Sequence, residues 1–291
     1  MKKSHLSALL TLCLVLALGP AFSLPAGAVT DMDLELKPLA EALESREKLA
    51  QALRFGLKPG PMISELGSAT GVNITWRDTD NPVTVSLPFA HAAGIPARQI
   101  VMVRENGAII PRSWYSAGRV YARVSARGHF DVAVREDIPF ADTAGLWMEE
   151  AVSYMAARGV VLGIGENIFD CSSTITRAHF ATMLSRALGG DLDYQGAVAQ
   201  FGTEAIPRQE MFLMAYEAMA ACGMLPSVMT DPFVLFDDWD AVRPECVDAI
   251  QALCKLELVN GNGNGLLNPL GESTRAEGAQ FLYNVLIFDT K

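Results

Sequence analysis

The sequence predicts an α+β chain: an apolar leader, a helical segment, a small antiparallel β-module of sandwich-like kind, and an all-α second half. Three observations carry this. Apolar and polar residues alternate with period two between Val83 and Val134, the pattern of strands with one buried face. Beyond residue 140 the apolar spacing becomes that of helices. A helix-start phrase then recurs in that half as Thr176-Arg177-Ala178-His179, Pro207-Arg208-Gln209-Glu210 and Thr274-Arg275-Ala276-Glu277.

At the N-terminus, Lys2 and Lys3 precede the apolar run Leu9 to Leu18, then Pro20, Pro25 and Ala26-Gly27-Ala28. This reads as a secretory signal peptide with a small-x-small cleavage site, too short and wrongly flanked for a membrane span, and predicts a mature chain from Val29. Leu12 is bulky where a lipoprotein signal needs a small residue, so Cys13 is a passenger. Removing residues 1–28 takes Lys2 and Lys3 and no other charged side chain counted, moving the formal charge from −10 to −12. A chain so acidic does not hold nucleic acid through counterion release, and it repels anionic polymers except where arginines cluster. Between residues 31 and 56, Leu36, Leu39, Leu43, Leu49 and Leu53 approximate one helical face, with Pro38 suited to a first turn. Gly56, Pro59, Gly60 and Pro61 end it.

Val83, Val85, Leu87 and Phe89 alternate with polar residues as one half-buried strand. Ile100 to Val103 and Ile109-Ile110 flank Asn106-Gly107, a hairpin signal because both residues tolerate positive φ. Val120, Ala122 and Val124 face away from Tyr121, Arg123 and Ser125, and Phe130, Val132 and Val134 alternate after Gly128. The module is similar to β-modules that lie before surface-anchoring repeats in bacterial proteins. Trp76, Trp114, Tyr115, Arg112, Arg119 and Arg123 are its candidate sugar- or protein-contacting residues.

In the second half, Thr274 with Glu277 three residues on is a capping box, in which hydroxyl and carboxylate each satisfy an orphan backbone donor. Arg275 then stands in an electropositive first turn, a place that attracts anions. Around the first and last copies the match extends to a unit of about 50 residues. Phe140-Ala141-Asp142 leads to Trp147 and a helix ending at Gly159, then Val160-Val161-Leu162-Gly163, Phe169 and Ile175-Thr176-Arg177. Phe236-Asp237-Asp238-Trp239 leads to Val247-Asp248-Ala249-Ile250, then Leu258-Val259-Asn260-Gly261, Leu267-Asn268-Pro269 and Thr274-Arg275. Residues 140 to 289 resemble the S-layer homology family through these motifs.

That resemblance implies three repeats packed as a pseudo-threefold prism whose grooves bind a secondary cell-wall polysaccharide, often through a pyruvylated amino sugar. It implies that Arg177, Arg208 and Arg275 pair with the carboxylate, and that Asp142 and Asp237 bond sugar hydroxyls or cap helices. Trp147 would wall a groove or pack in the core. Trp239, its counterpart in the last unit, stands three residues after Phe236 rather than seven, and Gly163 and Gly261 belong to the groove loops. Expected divisions are 1–28 (signal peptide), 29–69 (helical), 70–137 (β-module), 138–190, 191–230 and 231–291 (repeats). Arg208 follows Arg177 by 31 residues and precedes Arg275 by 67, leaving only Gly189 to Ala205 for the front of the middle unit. That unit is therefore expected to be truncated at its first helix, with extra chain between Cys222 and Phe236. Pro207 replaces its capping Thr, and His179 replaces the first Glu.

Enzyme patterns are absent: the histidines His5, His91, His129 and His179 are isolated, and no nucleophile-elbow, zinc-protease or phosphate-loop motif occurs. Asn260-Gly261-Asn262-Gly263-Asn264-Gly265 carries no carboxylate, so it predicts a tight turn rather than a calcium loop. Cys171, Cys222, Cys246 and Cys254 lack metal or framework spacing and read as buried thiols. No metal, cofactor or nucleic-acid partner is expected. The leading expectation is a secreted, non-enzymatic surface protein held non-covalently on a Gram-positive-type wall by an anionic polysaccharide. The alternatives are an assembly surface whose repeats no longer bind glycan, with the β-module contacting a protein, and an extracellular carbohydrate enzyme, which needs facing carboxylates.

Overall fold

The period-two segments become two three-stranded antiparallel sheets in the computed structural model, which describes residues 72–74, 83–89, 94–124, 128–225 and 234–288. The expectations for the signal peptide, the 31–56 helix and Trp76 fall outside these residues. Strands β1 (Val72–Ile74), β6 (Gly128–Val134) and β3 (Ile100–Arg104) form one sheet in that order; β2 (Val83–Pro88), β5 (Arg119–Val124) and β4 (Ser113–Ser116) form the other. Val85, Leu87, Ile100, Met102, Val120, Ala122 and Phe130 close a shared core, as the alternation requires.

The Asn106-Gly107 turn joins β3 to an antiparallel bridge between Val103 and Ile109, but only Gly107 has positive φ (76°). β6 departs from strict alternation: His129 is buried beside Phe130, whereas Val134 at the strand end is exposed.

The helical half contains α1 (Glu149–Ala157), α2 (Arg177–Ala187), α3 (Tyr194–Phe201), α4 (Arg208–Ala221), α5 (Val247–Lys255) and α6 (Arg275–Ile287). They pair cyclically: α3 packs on α2, α5 on α4, and α1 on α6, where Tyr154 meets Tyr283 edge-on at 5.1 Å. A continuous cluster that includes Phe169, Phe180, Met211, Ile250 and Leu282 fills the interior.

The middle unit corrects the sequence expectation. Its first helix is present as the eight-residue α3, with Asp193 accepting from the Gly196 N–H at 2.7 Å. What is missing is the loop: α3 ends at Phe201 and α4 begins at Arg208, whereas α1 ends at Ala157 and α2 begins at Arg177. Two turns of helix pack on α2.

The sheets and helices are fastened by Arg158, which is 3% exposed. Its guanidinium donates to the carbonyls of Ser113 (2.7 and 3.1 Å), Arg98 (2.8 Å), Ile100 (3.4 Å) and Tyr154 (3.1 Å), and its Cζ lies 3.4 Å from the Tyr154 ring centroid. Among the described residues no carboxylate reaches ion-pair distance of it, so oriented backbone dipoles and a ring face compensate the buried charge. At the surface, Arg98 adds ion pairs to Asp137 (2.8 Å) and Glu150 (3.2 Å).

Replacing Arg158 by Ala leaves several buried carbonyls without donors, so stability should fall by roughly 3 kcal/mol. Urea unfolding of the full chain checks this through a lowered midpoint.

Candidate functional site

The three helix starts meet. Main-chain bridges join Thr174 to Thr274, Thr176 to Ala205, and Pro207 to Glu272. Each helix donates its first two N–H groups to the segment that leads into the next. Arg177 and Ala178 donate to Glu204 (3.0 Å) and Gly202 (3.2 Å); Arg208 and Gln209 to Gly271 (2.9 Å) and Pro269 (3.0 Å); Arg275 and Ala276 to Ser173 (2.9 Å) and Cys171 (3.1 Å). The third N–H goes to a cap: His179 to Thr176 Oγ1 (3.2 Å), Glu277 to Thr274 Oγ1 (3.2 Å), and Glu210 to the Pro207 carbonyl (3.0 Å). The Thr274–Glu277 capping box is complete, the Thr274 N–H donating to Glu277 Oε2 at 2.8 Å. The expectation that these N–H groups grip an external anion is therefore corrected: they bind the protein's own carbonyls, and anion recognition falls to side chains.

The three arginines have unequal surroundings. Arg275, only 8% exposed, donates from Nε to the Phe169 carbonyl (3.1 Å) and from Nη2 to that of Leu162 (3.2 Å), with its Cζ 4.8 Å from the Phe169 ring centroid. Burial pushes its guanidinium below the ordinary value, partly opposed by Asp170 and Asp142. Arg208 repeats the first of these bonds on Leu267, the counterpart of Phe169, at 3.1 Å. Beyond that its Nη1 has only Glu277 at 3.8 Å, and its Nη2 has no partner among the described residues. Arg177 has no such loop to reach. It closes instead on Glu210, with Nε at 2.7 Å and Nη2 at 2.6 Å from Oε2, while Arg243 holds the other oxygen of Glu210 at 3.0 Å.

Between α4 and α6 lies a cavity of about 230 Å³. Trp147, Arg208, Asn260, Gly261, Gln280 and Asn284 line it, over a floor that includes Phe212 and Phe281. Trp147, which lines this cavity, is 62% exposed and so is not a core residue. Gln280 donates to Asn284 at 3.1 Å, so amide groups face the cavity from α6. Sequence reasoning missed these two, although Glu277, Gln280 and Asn284 form a polar stripe at i, i+3 and i+7 on an otherwise apolar helix.

The loops explain the glycines. A Cβ on Gly163 would lie 2.7 Å from both the Ile168 carbonyl and the Phe140 ring; a Cβ on Gly261 would lie 2.7 Å from the Leu266 carbonyl and the Phe236 ring. Asp142 accepts from the N–H groups of Phe169 (2.8 Å) and Cys171 (2.9 Å). Burial alone would raise its pKa, but these amides hold the carboxyl below the usual range. Its counterpart is Asp238, which accepts from Leu267 (2.9 Å) and Asn268 (2.7 Å), and not the exposed Asp237. Two additional residues lie between Asp238 and α5, so Trp239 is also displaced. It occupies a 3-10 turn stacked on Phe236 at 6.3 Å, while the position two before α5, matching Trp147 before α1, holds Glu245.

These coincidences have a family counterpart. The family model described as the S-layer homology domain matches residues 139–181 and 235–279. The chain carries S-layer homology domains. Such a domain is a module of the cell surface that holds its protein to the wall, and no described helix is long and apolar enough to cross a membrane. Relatives include the amylopullulanase of Thermoanaerobacterium thermosulfurigenes, 25% identical over 190 residues (54% of this chain, 10% of that protein). The exoglucanase XynX of Acetivibrio thermocellus is 24% identical over 183 residues (53% and 17%), and the surface layer protein of Brevibacillus choshinensis 41% over 68 residues (23% and 6%). The chain spans less than a fifth of the length of each of these curated relatives.

Elsewhere, the β-module's Trp114 stacks on Tyr121 at 5.5 Å, and Arg119 is tied to Ser86 (2.9 and 3.1 Å). Cys171, Cys222, Cys246 and Cys254 are free thiols, but only the last two are fully buried. Burial raises the pKa of Cys254 to about 11.

Two outcomes follow from these contacts. Gly163→Ala should cost about 1–3 kcal/mol through overpacking, and Gly261→Ala more, because its φ of +68° disfavours a side chain; chemical denaturation orders the two. His179 stacks on Tyr194 at 4.6 Å, and desolvation, then Arg275, hold its pKa below 6.5. The folded state therefore takes up a proton later than the unfolded chain as pH falls. Stability should drop below about pH 6.5 and level off once the folded pKa is passed, and His179→Gln should flatten that drop in a pH series of thermal melts.

Proposed function

We propose that this chain is a non-enzymatic anchor whose α4/α6 groove binds an acidic saccharide of the secondary cell-wall polysaccharide. The observation that carries the reading is Arg208, whose guanidinium edge lies at a cavity and has no close partner among the described residues. An acidic substituent such as ketal-linked pyruvate suits that fork, because charge-assisted bonds to a planar carboxylate form two at a time. Trp147 supplies a flat face for a sugar ring, and Gln280, Asn284 and Asn260 supply amides for hydroxyl or acetamido groups.

Within this reading Arg275 is chiefly structural, its Nε and Nη2 binding loop carbonyls, and Arg177 is occupied by Glu210. Asp142 and Asp238 shape the loops and do not touch sugar. The relatives named as enzymes match over a region far smaller than themselves, which fits a shared anchoring part.

Purified wall sacculi should sediment the full chain, and sacculi stripped of their polysaccharide should not; equal sedimentation in both would refute the anchor. Arg208→Ala removes one to two charge-assisted bonds and should weaken retention roughly tenfold or more. Trp147→Ala should also weaken it, whereas Arg177→Ala should lower thermal stability and leave retention unchanged.

A further inference from the structure

The chain contains four Asn-Gly pairs, at 106–107, 260–261, 262–263 and 264–265. In such a pair the glycine nitrogen, unshielded by any side chain, can lose its proton and attack the Asn Cγ. The new C–N bond closes a succinimide, the bond from Cγ to the amide nitrogen breaks, and ammonia leaves. Water then opens the ring at either carbonyl, giving aspartate or isoaspartate. The net change is amide plus water to carboxylate plus ammonium, with no oxidant or cofactor. The attack needs a glycine N–H released from hydrogen bonding and an Asn side chain free to turn.

The structure separates the four pairs, which composition makes equal. Gly107 donates its N–H to the Arg104 carbonyl at 2.8 Å, and Asn106 Oδ1 accepts from Ala108 at 3.0 Å, so both reacting groups are held. Asn262 Oδ1 is fixed by the N–H groups of Asn264 (3.0 Å) and Leu266 (3.2 Å). Asn260 is exposed, with a single long bond of 3.4 Å to the Glu257 carbonyl. The Asn264 side chain is exposed and has no partner among the described residues, nor do the N–H groups of Gly261 and Gly265. Asn260 also lines the α4/α6 cavity together with Arg208.

We propose that Asn260 and Asn264 are sites of spontaneous deamidation in the folded protein, and that conversion at Asn260 sets a fixed negative charge in the cavity lined by Arg208. That carboxylate competes for the guanidinium and repels an anionic saccharide, so the groove loses grip as the protein ages. The loss of grip rests on the anchoring reading; the chemistry does not.

The full chain, held in mildly alkaline buffer, is sampled over time, digested with trypsin and mapped by mass. The peptide Leu256–Arg275 should acquire the amide-to-acid mass gain several-fold faster than Glu105–Arg112, with fragmentation placing it at 260 and 264. Equal rates in the two peptides, or first reaction at Asn262, would overturn the assignment. On sacculi that retain the wild type, Asn260→Asp should bind several-fold more weakly and Asn260→Gln should resist ageing; full retention of Asn260→Asp would overturn the link to binding. A wild type that fails to bind sacculi refutes the anchoring reading and leaves the mass comparison to decide the chemistry.

Discussion

Every feature of the helical half depends on how three helix beginnings satisfy one another. A helix start carries backbone N–H groups without intrahelical partners, and burying them unpaired is costly. Here α2, α4 and α6 start around a common centre, and each hands two of those donors to the carbonyls of the segment that enters the next helix. The ring is closed and directional, so each arginine is carried to the boundary with the next unit. Whether that arginine is exposed, buried or clamped is then decided by the loop waiting there. A full loop gives Arg275 and Arg208 carbonyls to hold; its deletion leaves Arg177 with Glu210.

Most of the fold was legible because its signals are local. The capping box at Thr274, the buried sides of β2 and β5, and the Asn106-Gly107 turn each depend on a few neighbouring residues whose chemistry allows one outcome. The repeat was also legible, since Phe140 and Phe236 sit against Gly163 and Gly261 in the same way. What misled was spacing. The short interval before Arg208 suggests a truncated first helix, whereas the loop is what is short; and of the adjacent Asp237 and Asp238, it is Asp238, two residues after Phe236 as Asp142 is after Phe140, that matches.

The site was legible in residue type and not in circumstance. That arginine would gather at the helix starts follows from the repeated phrase. That Arg208 opens on a cavity while Arg177 is clamped depends on contacts between residues dozens apart, such as Glu210 with Arg243, and no local pattern encodes them. Arg158 was invisible for a related reason: an arginine near a helix end usually faces water, and its burial is set by carbonyls of the β-module, those of Ser113 and Ile100 in strands and that of Arg98 in the turn before β3.

The pairing of α1 with α6 also dictates an order of assembly. The side of α1 that faces α6 is covered by a helix that begins more than a hundred residues later, so this pairing waits until the whole intervening chain is in place. Long-range closure of this kind is slow, because the intervening loop must be confined before any contact rewards it. Losing α6 would therefore uncover α1, more than a hundred residues away in sequence, as surely as it would remove α6 itself.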